Sequence, residues 1–168
     1  MSIVRQLRSD DCGEWLRLRH ALWPHHVISE LEEETHRITA NGARESVFVA
    51  ERPGGGLCGM IEMSVREHAK GCRTKNVGYI EGWFVDPDMR NKGVGRKLVC
   101  AGVKWARDRG CLEMGSDTTP EYPLSPLAHT RLGFEEVGTT IHFRKDMTEP
   151  SAATLPRAPQ TGHSDAEH

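Results

Sequence analysis

The chain has 168 residues, 37% of them hydrophobic, which suits one globular domain with an adequate core. A net charge of −2, from 22 basic and 24 acidic residues, gives no polycationic field for nucleic acid. No apolar run approaches the ~20 residues that span a bilayer, and residues 1–25 hold no secretory h-region, so the expected location is the cytoplasm, with no membrane partner.

Ile3 to Gln6 reads as a short strand. Ser9, Asp10 and Asp11 then supply helix-start chemistry, and Trp15, Leu18 and Leu22 form an apolar stripe at i, i+3 and i+7. Pro24 ends that helix, because it lacks a donor and disfavours helical geometry in the residue before it. Ser29-Glu30-Leu31-Glu32 is a capping box for a second helix reaching about Ala40, with Asn41-Gly42 as its stop. Ser46 to Glu51 is a strand, Pro53 to Gly56 a hairpin turn, and Leu57 to Val65 the returning strand. Glu67 to Asn76 is a polar loop, and Val77 to Val85 an apolar central strand. An amphipathic helix covers Leu98 to Arg109 and stops at Gly110. Glu113 to Asp117 is a short strand, Thr118 to Pro126 is irregular, and Leu127 to Leu132 is a short helix stopped by Gly133. Phe134 to Gly138 and Thr140 to Met147 are expected to pair as a last hairpin. Residues 148–168 carry Pro150, Pro156 and Pro159 with no periodicity and read as a disordered tail. The order predicts one α+β domain, residues 1–147, around a mixed, mostly antiparallel sheet flanked by helices.

The most informative stretch links the central strand to the long helix. It contains Arg90, Asn91, Lys92, Gly93, Val94, Gly95 and Arg96, an Arg-x-x-Gly-x-Gly turn. Its glycines let backbone N–H groups converge without interference from a Cβ. A helix opening at such a turn seats a diphosphate, since free first-turn N–H groups and the positive helix end face the anion. Arg90, Lys92, Arg96 and Lys97 add positive charge. A nucleotide-hydrolase loop would need Lys-Ser/Thr after its last glycine, where Arg96 and Lys97 stand. A dinucleotide fingerprint would need a third glycine where Leu98 stands.

Arg90 to Gly95 instead resembles the acyl-CoA loop of the GNAT superfamily of N-acetyltransferases, and the element order over about residues 3–147 is that of the GNAT fold. Further matches are Leu22-Trp23, Tyr79-Ile80-Glu81-Gly82, Gly115-Ser116-Asp117-Thr118 and His129-x-x-Leu132-Gly133-Phe134-Glu135-Glu136. Together they look like the aminoglycoside 6′-N-acetyltransferases, the antibiotic-resistance branch. The resemblance implies acetyl transfer from acetyl-CoA to an aminoglycoside 6′-amine in a ternary complex, and a homodimer. It implies Trp23, His26, Glu81 and Asp117 around the aminoglycoside, with His68 where relatives place an aromatic and Gly138 where they place a carboxylate. It implies Trp83, Phe84, Val85 and Asn91 to Arg96 around acetyl-CoA. The other reading is an acetyltransferase of a different amine, such as a polyamine or a protein N-terminus; a non-catalytic acyl-CoA sensor is the reading of a different class.

The residues supply the chemistry independently. An ammonium must lose a proton before it attacks a thioester. Glu81, in an otherwise apolar strand, is the candidate base, with Asp117 its rival. Asp86, Asp88, Glu121, Glu135 and Glu136 either add a negative field or form a solvated face. Backbone N–H groups near Phe84 and Val85, freed by a bulge at the strand end, are candidates to polarise the carbonyl. Tyr122 is a candidate thiolate acid, against simple packing beneath Pro120 and Pro123. Trp23 is either a wall for a sugar ring or a core residue. Trp105 reads as core. The histidines show no metal-ligand spacing, so no metal is expected. The five cysteines, an odd number without a Cys-x-x-Cys pair, read as free thiols.

Overall fold

The computed structural model describes residues 2–40 and 43–147. Strands β1 (Val4–Gln6), β2 (Glu45–Glu51), β3 (Leu57–Arg66), β4 (Val77–Val85) and β5 (Met114–Ser116) form one sheet in that spatial order. Neighbours are antiparallel up to β4, and β5 runs parallel to β4. Helices α1 (Cys12–Leu22) and α2 (Ile28–Ala40) lie between β1 and β2 in sequence, α3 (Val94–Arg107) joins β4 to β5, and α4 (Ser125–Thr130) comes after β5.

Alternation along the strands divides the core into two layers. Val47 and Val49 of β2, with Leu57 and Met60 of β3, pack against Trp15 and Leu18 of α1. Their neighbours Ala50, Cys58, Ile61 and Met63 face the other way, against Leu98, Val99 and Trp105 of α3. Because both faces are covered, β3 is buried from Leu57 to Ser64 without a break. Trp105 is a core residue, as its helical spacing predicts.

Two irregularities mark β4. It pairs with β5 only from Gly78 to Ile80, opposite Met114 to Ser116, then runs on to Val85 alone on that side. Opposite β3, Glu62 pairs with Gly82 and Met63 with Ile80, so Glu81 is the extra residue of a bulge. The bulge therefore lies upstream of Phe84 and Val85 and not at the strand end, where the sequence predicts it.

Other boundaries shift for local reasons. α3 begins at Val94 instead of Leu98, because Gly93 adopts φ 79° and turns the chain directly into the helix. α4 starts at Ser125, with Pro126 in the first turn, where a missing N–H leaves nothing unpaired. Residues 134–147 form no strand, contrary to the expected hairpin. Alternation alone does not supply a partner, and an isolated two-stranded hairpin is marginal in water. Residues 41–42 and 148–168, the expected helix stop and tail, lie outside the described residues.

Candidate active site

The turn after β4 is anchored before it is open. The Asp86 N–H donates to Cys58 O at 2.9 Å, and Met89 N–H to Asp86 O at 2.9 Å. The buried Asp86 carboxylate accepts from Arg17 Nη1 at 3.1 Å and Arg52 Nη2 at 2.9 Å. Asp86 is thus a brace between two guanidinium groups and not part of a solvated acidic face. Asp88 is exposed and paired to Arg52. Beyond this anchor the first helical hydrogen bond of α3 runs from Lys97 N–H to Gly93 O, at 3.2 Å. Among the described residues no backbone acceptor meets the amides of Asn91 to Arg96. Asn91, with φ 58°, and Gly93 give the turn the left-handed steps that gather such amides.

Those amides border a cavity of about 720 Å³ lined by Arg90, Asn91, Gly93, Gly95 and Arg96 on one side and by Tyr122, Leu127 and Arg131 on another. Trp83, Phe84 and Val85 form its inner wall. Val94 instead enters the core, Lys92 is exposed, and Lys97 Nζ donates to Ser2 O at 3.1 Å, so these three side chains do not line it. Strand geometry decides which wall amides are available. Asp86 N–H faces β3, so the N–H groups of Trp83 and Val85 face the opposite side, where β5 has ended. Arg90 Nε donates to Val85 O at 3.0 Å from that same side. Phe84 N–H, by the same alternation, is directed at β3 and is not the free donor expected from sequence. Trp83 Nε1 is buried with no partner among the described residues, an open donor beside the turn. Gly95 keeps that approach open: a Cβ there would stand 2.9 Å from Trp83 Cζ2. The turn, the orphan donor and the exposed amides fit the diphosphate and amide groups of an acyl-CoA.

A second cavity, of about 390 Å³, shares the wall made by the end of α1 and β4. Trp23, His26 and Glu81, three of the residues that the resemblance implies around an aminoglycoside, line it together with Glu34, Glu45 and Glu62. Trp23 closes one side by lying over Gly82, where a Cβ would meet Trp23 Cη2 at 2.7 Å. Trp23 is therefore both packed and a cavity wall. Glu81 is turned outward by its bulge and accepts from Ser64 Oγ and from Arg66 Nε at 2.9 Å. The Arg66 guanidinium lies over the Tyr79 ring, 3.5 Å from its centroid, and the Tyr79 hydroxyl donates to Asp117 Oδ1 at 2.9 Å. Burial, reinforced by Asp117, pushes the Tyr79 hydroxyl above its usual range. Glu81 and Asp117 are thus joined through Arg66 and Tyr79, but Asp117 lies outside both cavities. His68 is exposed on the β3–β4 loop, beside Glu67, and also lines neither. Tyr122 borders the larger cavity but donates its proton to Leu22 O at 2.7 Å, and burial raises its hydroxyl, which argues against a role as thiolate acid.

Sequence reasoning missed the charged floor of the smaller cavity. Arg19, 2% exposed, and Glu62, 3% exposed, are in ion contact at 2.9 Å, with the Arg19 Nε off the hydrogen-bond axis. Trp15 Nε1 donates to Glu62 at 2.8 Å, and Arg19 reaches Leu31 O at 2.8 Å and Glu34 at 2.6 Å. Its guanidinium lies 5.5 Å from the Trp15 ring and 5.2 Å from the Trp23 ring. No local signature marks this pair; it forms only because α1 crosses β3. Burial pushes the Glu62 carboxyl from 4.5 up to about 7, against the opposing pull of Arg19 and Trp15. Carbon-13 NMR of the Glu62 carboxyl should show a midpoint near 7, absent in Glu62→Gln; a midpoint near 4.5 would contradict its burial. Between those values the folded chain keeps a proton that the unfolded chain has released. The contribution of this group to unfolding free energy therefore falls as pH rises through the window and is level above about 7.

Among the described residues no three His, Cys, Asp or Glu side chains gather to hold a metal ion, and no helix is long and apolar enough to cross a membrane. The profile of the acetyltransferase (GNAT) family matches residues 11–134. The chain is 39% identical over 147 residues to the aminoglycoside N(6′)-acetyltransferase type 1 of Klebsiella aerogenes, covering 86% of this chain and 97% of the relative. It is 37% identical over 150 residues to the enzyme of the same name from Stenotrophomonas maltophilia, covering 89% and 95%. Its fold matches AAC(6′)-Iy in complex with the bisubstrate analogue CoA-S-monomethyl-acetylneamine, with a TM-score of 0.80 and 33% identity over 87% of this chain and 99% of that one.

Proposed function

We propose that this chain, which belongs to the acetyltransferase (GNAT) family, transfers acetyl from acetyl-CoA to the 6′-amine of aminoglycoside antibiotics, directly and in a ternary complex. The observation that carries this reading is a set of open amides beside one cavity and carboxylates around the next, with β4 between them. Asn91 to Arg96 receive the diphosphate, with Arg90 and Arg96 as counter-charges. The N–H groups of Trp83 and Val85 polarise the thioester carbonyl as negative charge builds on its oxygen. An aminoglycoside is a polyammonium sugar, and Glu34, Glu45 and Glu81 offer it charge-assisted hydrogen bonds while Trp23 supports a ring. Glu81 takes the proton from the attacking amine, directly or through water, once the substrate displaces Arg66; Asp117 is the alternative base. In this reading residues 1–147 are the catalytic domain, and the enzyme acts in the cytoplasm as a homodimer.

A thiol-release assay with acetyl-CoA tests the reaction. Kanamycin or tobramycin, each with a 6′-amine, should release thiol, whereas an otherwise matched 6′-hydroxyl compound should not. Equal release from both would contradict the regiochemistry. Release with spermidine but with no aminoglycoside would favour the other amine substrates.

The shared wall yields a selective prediction. Gly82→Ala must displace the Trp23 ring, so the aminoglycoside KM should rise about tenfold, roughly 1.4 kcal/mol, while the acetyl-CoA KM stays the same. Steady-state kinetics with each substrate varied in turn checks this.

A further inference from the structure

Ser116, the last residue of β5, and His129, in α4, meet where β4 and β5 part. His129 Nε2 lies 2.9 Å from Ser116 Oγ. His129 Nδ1 lies 2.8 Å from Ser125 O and 3.2 Å from Ser125 Oγ. A carbonyl oxygen only accepts, so Nδ1 carries the hydrogen; in the neutral ring Nε2 is then an acceptor, and the Ser116 hydroxyl donates to it. The ring is also held edge-on by Trp83, with centroids 5.5 Å apart, and by Phe134, at 5.3 Å. Ser125 and Leu132, four residues before and three after His129 in sequence, line the cofactor cavity, and so does Trp83. The imidazole and Ser116 do not themselves line that cavity; they stand directly behind Trp83, which does, at the fork where β5 has left the Trp83 and Val85 amides open.

A hydroxyl held by an imidazole, whose far nitrogen is fixed by a carbonyl, has the parts of a proton relay. We propose that Ser116 and His129 deliver the proton that the departing CoA thiolate needs, with Ser116 touching the sulfur and His129 acting through it. This rests on the acetyl-transfer reading. When His129 is an imidazolium, both ring nitrogens donate, and the Ser116 hydroxyl is released to point elsewhere. The hydroxyl proton then passes to sulfur as the Nε2 proton passes to Oγ. One O–H and one N–H bond break, one S–H and one O–H bond form, and imidazolium plus thiolate become neutral imidazole plus thiol. The proton given up by the amine, through solvent, recharges His129. The groups in contact with the ring are neutral: Trp83 from β4, Ser116 from β5, Ser125 of its own helix, and Phe134. Asp117 is one residue beyond Ser116 and Arg131 two beyond His129, the charged groups nearest in sequence.

Ser116→Ala and His129→Gln in the active enzyme should each lower kcat by about 10²-fold, with the acetyl-CoA KM and melting temperature unchanged. His129→Ala should regain turnover when imidazole is added. In the wild type kcat should fall at high pH, and that fall should be missing from His129→Gln. Nitrogen-15 NMR of the unliganded wild type should show hydrogen on Nδ1 and an accepting Nε2, whose resonance moves in Ser116→Ala and on adding CoA. Undiminished kcat in both variants, or hydrogen on Nε2 of the neutral ring, overturns the relay alone. So do losses without imidazole rescue accompanied by a raised acetyl-CoA KM or a lower melting temperature. A wild type that releases no thiol with any amine overturns the transfer reading and the relay with it.

Discussion

Glu81→Gln should lower kcat/KM for a 6′-amino aminoglycoside on the order of 10³-fold, within the range expected when a general base is removed. Glutamine keeps the volume of the side chain and an oxygen for the Ser64 hydroxyl, so the bulge that turns this residue outward should persist. The substitution removes the basic carboxylate able to accept a proton and the charge that a substrate ammonium would take over from Arg66. Loss of base function should appear in kcat, and loss of ammonium binding in KM, so steady-state kinetics separates the two. Asp117→Ala should be damaging as well, because it strips Tyr79 of its acceptor beside Arg66 and leaves that contact unsupported. Glu135→Ala is the control, since Glu135 is exposed and lines neither cavity. Losses of similar size at Glu81, Asp117 and Glu135 would discredit the assigned site.

Gly95→Val should weaken acetyl-CoA binding by about 10²-fold, roughly 2.7 kcal/mol, and leave aminoglycoside binding largely intact. A Cβ at this position already stands 2.9 Å from the Trp83 ring, and the branched side chain would have to displace that ring or fill the seat above the helix end. Either outcome disturbs the wall that presents the Trp83 and Val85 amides. Gly13→Ala, which meets nothing within 4 Å, should not change affinity. Isothermal titration with CoA distinguishes them; equal affinity in wild type and Gly95→Val would remove the turn from the cofactor site.

Local signals were legible in the sequence and long-range convergence was not. β4 has the bounds its composition predicts, because an apolar run bordered by a polar loop and a Pro-containing turn is a local signal. The open amides of residues 91–96 were legible for the same reason: glycine spacing before an amphipathic helix specifies backbone direction. Arg19 and Glu62 were invisible, since each is an ordinary polar residue until α1 and β3 bring them together. Asp86 resembled a surface carboxylate for want of any sign that Arg17 and Arg52 would converge on it. The pattern at 134–147 promised strands, yet alternation describes only a face and does not provide the strand that pairs with it. Tyr122 lines the larger cavity, but its hydroxyl is committed to Leu22 O, a contact spanning 100 residues that no motif encodes.

The central claim is that one diphosphate-bearing donor lies along the turn and reaches the fork in the sheet. Titration of nitrogen-15-labelled protein with CoA tests it most directly. The amides of Asn91 to Arg96 and of Trp83 and Val85 should move together, at one common affinity, with the Trp83 indole N–H among them. Saturable binding that leaves those resonances in place and shifts another region would contradict it.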